Sequence, residues 1–154
     1  MDPRPAPRPA PRADTAPDAL AARYRRVRAA SLALAAPLTA EDCQVQSMPD
    51  TSPVKWHLAH VTWFFETFVL ERFEAGFRPF EPAFRVLFNS YYQGIGEQHP
   101  RPQRGLILRP TLDEVRAWRA QVDERIDALL EARRGDAELA ALVALGLQHE
   151  QQHQ

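Results

Sequence analysis

From Val54 to Val69 the chain offers no broad polar face on which a helix could meet water. Val54, Trp56, Leu58, Val61, Trp63, Phe64, Phe65, Phe68 and Val69 cover nearly its whole circumference. Such a segment belongs at the centre of a helical bundle. Ser52 precedes it as a cap, Pro53 suits its first turn, and the predicted helix runs to Ala75-Gly76. Three more helices are expected around it. The first spans Asp14 to Ala36, with Asp14 or Thr15 as cap and Pro37 as stop. The third opens on Thr111-Leu112-Asp113-Glu114, a capping box, and carries the stripe Val115, Trp118, Val122, Ile126 and Leu129. Gly135-Asp136 breaks the chain before the fourth, where Leu139, Leu142, Gly146, His149 and His153 fall on one line. With no strand run and no repeat, the expected fold is all-α, an up-and-down four-helix bundle.

The 154 residues suffice for one domain with a real core. Residues 1–13 alternate Pro with Arg and Ala and predict a solvated, disordered tail, which leaves 14–154 as the bundle. Leu38 to Asp50 reads as a loop. Residues 77–110, with five prolines and six aromatics, read as a long loop wrapped on the bundle, with one helical turn near Ala83 to Phe88. A net charge of −1 gives no electrostatic case for nucleic acid or a membrane surface. No stretch approaches the roughly 20 apolar residues of a membrane span. The basic run at 23–28 before Ala29–Ala36 imitates a secretory signal, yet its apolar part is short and closed by Pro37, so a cytoplasmic location is expected. A single cysteine, Cys43, excludes an intrachain disulfide and a cysteine-clustered zinc site. Glu41 and Asp42 beside it disfavour a thiolate nucleophile.

His149-Glu150-Gln151-Gln152-His153 is the sharpest local feature. Histidines at i and i+4 sit one turn apart on one helix face, close enough to share a metal ion. The bland alternative is a hydrogen-bonded pair of core histidines. Helix two offers His57 and His60 in an otherwise apolar segment, and one of them, opposite the helix-four pair, would complete a three-histidine site. Neutral imidazoles suit iron, zinc, nickel or copper and leave coordination positions open. Glu150 also fits the HExxH pattern of zinc proteases, but that reading leaves the helix-two histidines unexplained. Arg101 and Arg104, in a proline-stiffened loop, could clamp a carboxylate or simply be solvated.

Taken together, four segments resemble the amino-terminal DinB-like domain of ergothioneine-biosynthesis sulfoxide synthases. They are Glu41 to Glu66, Phe88-Asn89-Ser90-Tyr91-Tyr92, His99 to Gly105 and His149 to His153, in order over residues 20–154. The resemblance implies a DinB-like four-helix bundle and a non-haem iron(II) oxygenase. Such an enzyme joins γ-glutamylcysteine or cysteine to hercynine with O2 to form a sulfoxide. It implies His60, His149 and His153 as iron ligands, Gln152 as a hydrogen-bonding partner of the hercynine ring, and Arg101 and Arg104 as a grip on the thiol substrate's carboxylates. In that family a formylglycine-generating-enzyme-like domain follows and supplies the catalytic tyrosine. This chain, ending at Gln154, is expected to be a fragment that binds iron weakly and does not turn over. Two rivals remain: a stand-alone DinB-like thiol transferase on zinc or nickel, and a metal-free binding bundle.

Overall fold

The computed structural model describes residues 17–90, 94 and 96–154. The Pro/Arg tail, the proposed caps Asp14 and Thr15, and Tyr91 and Tyr92 lie outside them. The described residues form helices and no strands: α1 (Pro17–Ala35), α2 (Ala40–Gln44), α3 (Val54–Phe64), a π-helical segment (Phe65–Leu70), α4 (Glu71–Phe73), α5 (Phe84–Leu87), a 3-10 helix (Arg101–Leu106), α6 (Leu112–Ala132) and α7 (Ala137–His153). The expected all-α four-helix bundle is therefore present, built from α1, the continuous run from α3 to α4, α6 and α7. No helix among them is long and apolar enough to cross a membrane.

Local chemistry sets most boundaries. The Thr111 hydroxyl accepts from Glu114 N while the Glu114 carboxylate accepts from Thr111 N, so the capping box opens α6 as its sequence requires. Asp136 accepts from Glu138 N and Leu139 N, each at 3.0 Å, and opens α7. Ser52 does not cap α3, because its hydroxyl accepts from Arg104 instead, and Pro53 takes the cap position without a side-chain bond. Within the segment expected as loop, Thr39 and Asp42 close a second capping box and create α2.

The helix directions are up, down, down, up rather than the simple alternation expected. α1 and α7 run parallel: Leu20 lines a cleft with the start of α7, whereas Ser31 bonds Glu150 near its end. α3 and α6 also run parallel, since Lys55 holds Pro110 at the mouth of α6 while Glu74 pairs with Arg125 a few turns on. A short turn cannot join parallel neighbours, because the chain must first return to its starting end. Residues 74–111 make that return, and this is why the aromatic loop is long. Phe80, Phe84 and Phe88 seat it against Trp118 of α6, with ring centroids 4.7–6.3 Å apart.

The apolar core is closed by a buried ionic cluster that touches all four bundle helices. Glu150 of α7 is fully buried. It accepts from Arg28 Nη1 at 3.0 Å, from Ser31 Oγ at 2.6 Å, and from Arg119 Nη2 of α6. Both guanidinium groups also donate to the Thr62 hydroxyl of α3, at 3.2 and 3.3 Å. Arg28 reaches Asp123 as well, at 2.6 Å, and that carboxylate also takes the Tyr24 hydroxyl. Burial alone would raise the Glu150 carboxyl, but the two arginines outweigh it and hold the group below its ordinary value. At Gly146 close packing decides the residue: an added Cβ would stand 2.7–2.9 Å from ring carbons of Phe64 and Phe65.

Two stability changes are expected. Glu150→Ala strands two buried guanidinium groups and should cost about 3–5 kcal/mol. Gly146→Ala gains about 1 kcal/mol in helix propensity but pushes into buried rings at about 1–3 kcal/mol, so the net change should be a loss. Urea unfolding of the two variants measures both, and a Gly146→Ala protein more stable than wild type would contradict the packing argument.

Candidate metal centre

His60 is buried on α3, between Trp56 and Trp63, whose rings stack nearly parallel to its imidazole with centroids 4.5 and 5.5 Å away. The crossover loop fixes its orientation. α5 ends in carbonyls that have no helical partner, and α3 side chains collect them. Trp63 Nε1 donates to Arg85 O, Trp56 Nε1 to Leu87 O, and His60 Nδ1 meets Phe88 O at 2.7 Å. A carbonyl only accepts, so Nδ1 carries the proton and Nε2 is left with a bare lone pair. This is the arrangement a metal-ligating histidine uses.

That Nε2 faces His149 Nε2 at 3.1 Å. His149 and His153 are one turn apart on α7, and His149 stacks on Phe64 at 4.9 Å between centroids. Ligand nitrogens of His60, His149 and His153 all lie within 4.8 Å of one another. Two nitrogens bound to one ion at about 2.1 Å each stand roughly 3.0–3.4 Å apart when adjacent in its coordination shell. The donor set therefore fits a divalent transition metal. Burial first of all keeps the imidazoles neutral, which such a metal requires: it pushes His60 down to about 2 and His149 down to about 4, and lowers His153. His57 lies beside this trio, its Nδ1 2.9 Å from His153 Nδ1. Burial, then the neighbouring His153 and Arg104, push it down to about 4.

Arg104 is buried on the 3-10 helix, with its guanidinium carbon 3.5 Å from the Trp56 ring centroid. It donates to Ser52 Oγ at 2.9 Å and to Ser90 Oγ at 3.5 Å, and its Nε has no hydrogen-bond partner. No carboxylate among the described residues forms an ion pair with it. Burial and the neighbouring Arg101 push it down to about 10, so it remains a cation at neutral pH. Gln44, Gln46 and Lys55 hold this loop in place through its backbone. Gln44 binds the Gly105 and Ile107 carbonyls, Gln46 the Arg101 carbonyl and Gly105 N, and the Lys55 ammonium the carbonyls of Ile107, Leu108 and Pro110.

Of the residues singled out in the sequence, His60, His149 and His153 converge, and Arg104 stacks on a ring that also stacks on His60. Arg101 sits half-buried beside Arg104. Gln152 is exposed, about 60° around α7 from His149 on the flank opposite Glu150. The zinc-protease reading fails on geometry, because both Glu150 oxygens are taken by the ionic cluster. The sequence reading missed Glu150 itself. Its signal was present: Leu139, Val143, Gly146, Leu147 and Glu150 form the buried stripe of α7, and the histidines border it.

Depressed imidazole pKa values carry a sign. Between a folded value near 4 and an ordinary value near 6.5 the unfolded chain binds more protons, so stability rises with pH there. The metal-free protein should keep full stability above about pH 7 and lose it steadily as pH falls from about 6.5 to 4. Replacing His149 by Phe should flatten part of that slope. Urea midpoints across pH 4–8 measure it, and equal slopes in the two proteins would contradict the assigned burial.

A sequence profile of the DinB superfamily matches residues 23–154, the whole bundle beyond the first turns of α1. No curated protein matches the chain. With that match spanning the four helices and the three converging histidines, the chain belongs to the DinB superfamily.

Proposed function

We propose that the chain is the metal-carrying part of an iron(II)-dependent sulfoxide synthase, which joins γ-glutamylcysteine or cysteine to hercynine with O2. The observation that carries this reading is Arg104. A buried guanidinium without a carboxylate is costly, and one stacked on a neighbour of His60 asks for an anionic ligand beside the metal. A thiol substrate that bears a carboxylate supplies both the anion and a sulfur to be placed near the three histidines.

In this reading the neutral imidazoles of His60, His149 and His153 offer lone pairs to the metal. Arg104, with Arg101 beside it, binds carboxylate, and the Ser52 and Ser90 hydroxyls aim its fork. Trp56, Trp63 and Phe64 wall the centre from water. Gln152, on the open flank of α7, offers its amide to the hercynine ring. When bound, iron(II) supplies open positions at which oxygen and the thiol are activated.

The test is ligand binding to the Co(II)- or Fe(II)-loaded protein under argon. γ-Glutamylcysteine or cysteine should bind, cysteamine, which lacks a carboxylate, should bind more weakly, and Arg104→Met should weaken the carboxylate ligands by about 10–100-fold, the worth of a charged hydrogen bond. Metal affinity should be unchanged in that variant. Equal affinity for cysteine and cysteamine would sink the carboxylate role. Zinc- or nickel-dependent thiol transfer without oxygen uptake would favour the thiol-transferase alternative.

A further inference from the structure

His57 contacts the centre without belonging to its three donors. It stands three residues before His60 on α3, and its ring meets His153 at a 52° tilt, with centroids 5.1 Å apart. The two Nδ1 atoms are 2.9 Å apart. Only one proton fits between them, so one ring donates and the other accepts. A neutral imidazole that binds a metal through Nε2 keeps its proton on Nδ1. His153, as a ligand through Nε2, is then the donor, and His57 Nδ1 accepts. The second nitrogen of His57 then keeps its own proton.

We infer that His57 is the positioning residue for His153, fixing that ring's rotation and tautomer so that Nε2 faces the metal. The inference rests on the reading of His60, His149 and His153 as a metal centre. Ligating histidines usually give their second N–H to a carboxylate or a carbonyl. His60 does so, to Phe88 O. His149 has no such support, since its buried Nδ1 lacks any partner. His153 takes an imidazole instead. Two of the three ligands are thus held through their second nitrogen, by unlike partners. His153 is the one whose aim depends on a single replaceable side chain.

The test uses the purified 154-residue chain, titrated with Co(II) and with zinc as wild type, His57→Phe, His57→Gln and His60→Ala. Circular dichroism checks that each variant folds. His57→Phe should weaken binding by about 10–100-fold, the usual effect of losing such a partner, and should shift the visible bands of bound Co(II). His57→Gln, whose amide oxygen can accept the same N–H, should restore most of the affinity and the spectrum. Unchanged binding and spectrum in His57→Phe would overturn the inference while leaving the metal centre standing. Loss as complete as in His60→Ala, in both His57 variants, would make His57 a direct ligand and also overturn it. A wild-type chain that binds neither metal would remove the centre and the inference together.

Discussion

Two arginines and one glutamate, sealed inside the bundle, set the geometry on which everything else rests. Burying three charges is favourable only if each finds its partners. Here Arg28, Arg119 and Glu150 find theirs on α1, α3, α6 and α7 at once. A hydrophobic interface tolerates a sliding or rotating helix, whereas a directional charged hydrogen bond does not. Glu150 therefore fixes the rotation of α7. It lies between the two histidines in sequence, so the same rotation aims both imidazoles across at His60. The charges are nearly balanced once Asp123, at the edge of the cluster, is included.

A second constraint comes from the chain path. Because α3 and α6 run parallel, the segment between them has to travel the length of the bundle, and the fold makes use of the detour. One part of it delivers the Phe88 carbonyl that sets the His60 tautomer. Another delivers Arg104 to the Trp56 ring. The three histidines come from rigid helices and Arg104 from a braced loop. In the proposed reading, that division keeps the metal geometry exact while the carboxylate contact is free to vary.

Much of this was legible in the sequence. The apolar faces of the central helix and of α6, the Thr111–Glu114 capping box, the break at Gly135-Asp136 and the one-turn histidine pair each encode their structure within a few residues, and each appears as read. The rest depends on contacts between distant segments. Nothing local distinguishes a buried Arg119 from a solvated one. Nor does local sequence tell which flank of α7 points inward, so Glu150 stands out only as the glutamate of a protease pattern. The order of helix directions was hidden for the same reason, because loop length permits a crossover without announcing it. The π-helical segment Phe65–Leu70 gives no local signal at all, since its residues would satisfy an α-helix equally well. Spacing alone left His57 and His60 as equals; their difference arises from the Phe88 carbonyl, twenty-eight residues away.

Lys55 is the only lysine in the chain, and its ammonium is shut inside the protein under three carbonyls. Its peptide bond is therefore the single target for a lysine-specific protease, and the fold conceals it in the first turn of the central helix. Cleavage requires α3 to leave the bundle, which dismantles the ionic cluster and the histidine centre together. Digestion at Lys55 consequently counts opened molecules one cut at a time, making the native chain its own gauge of how often the core comes apart.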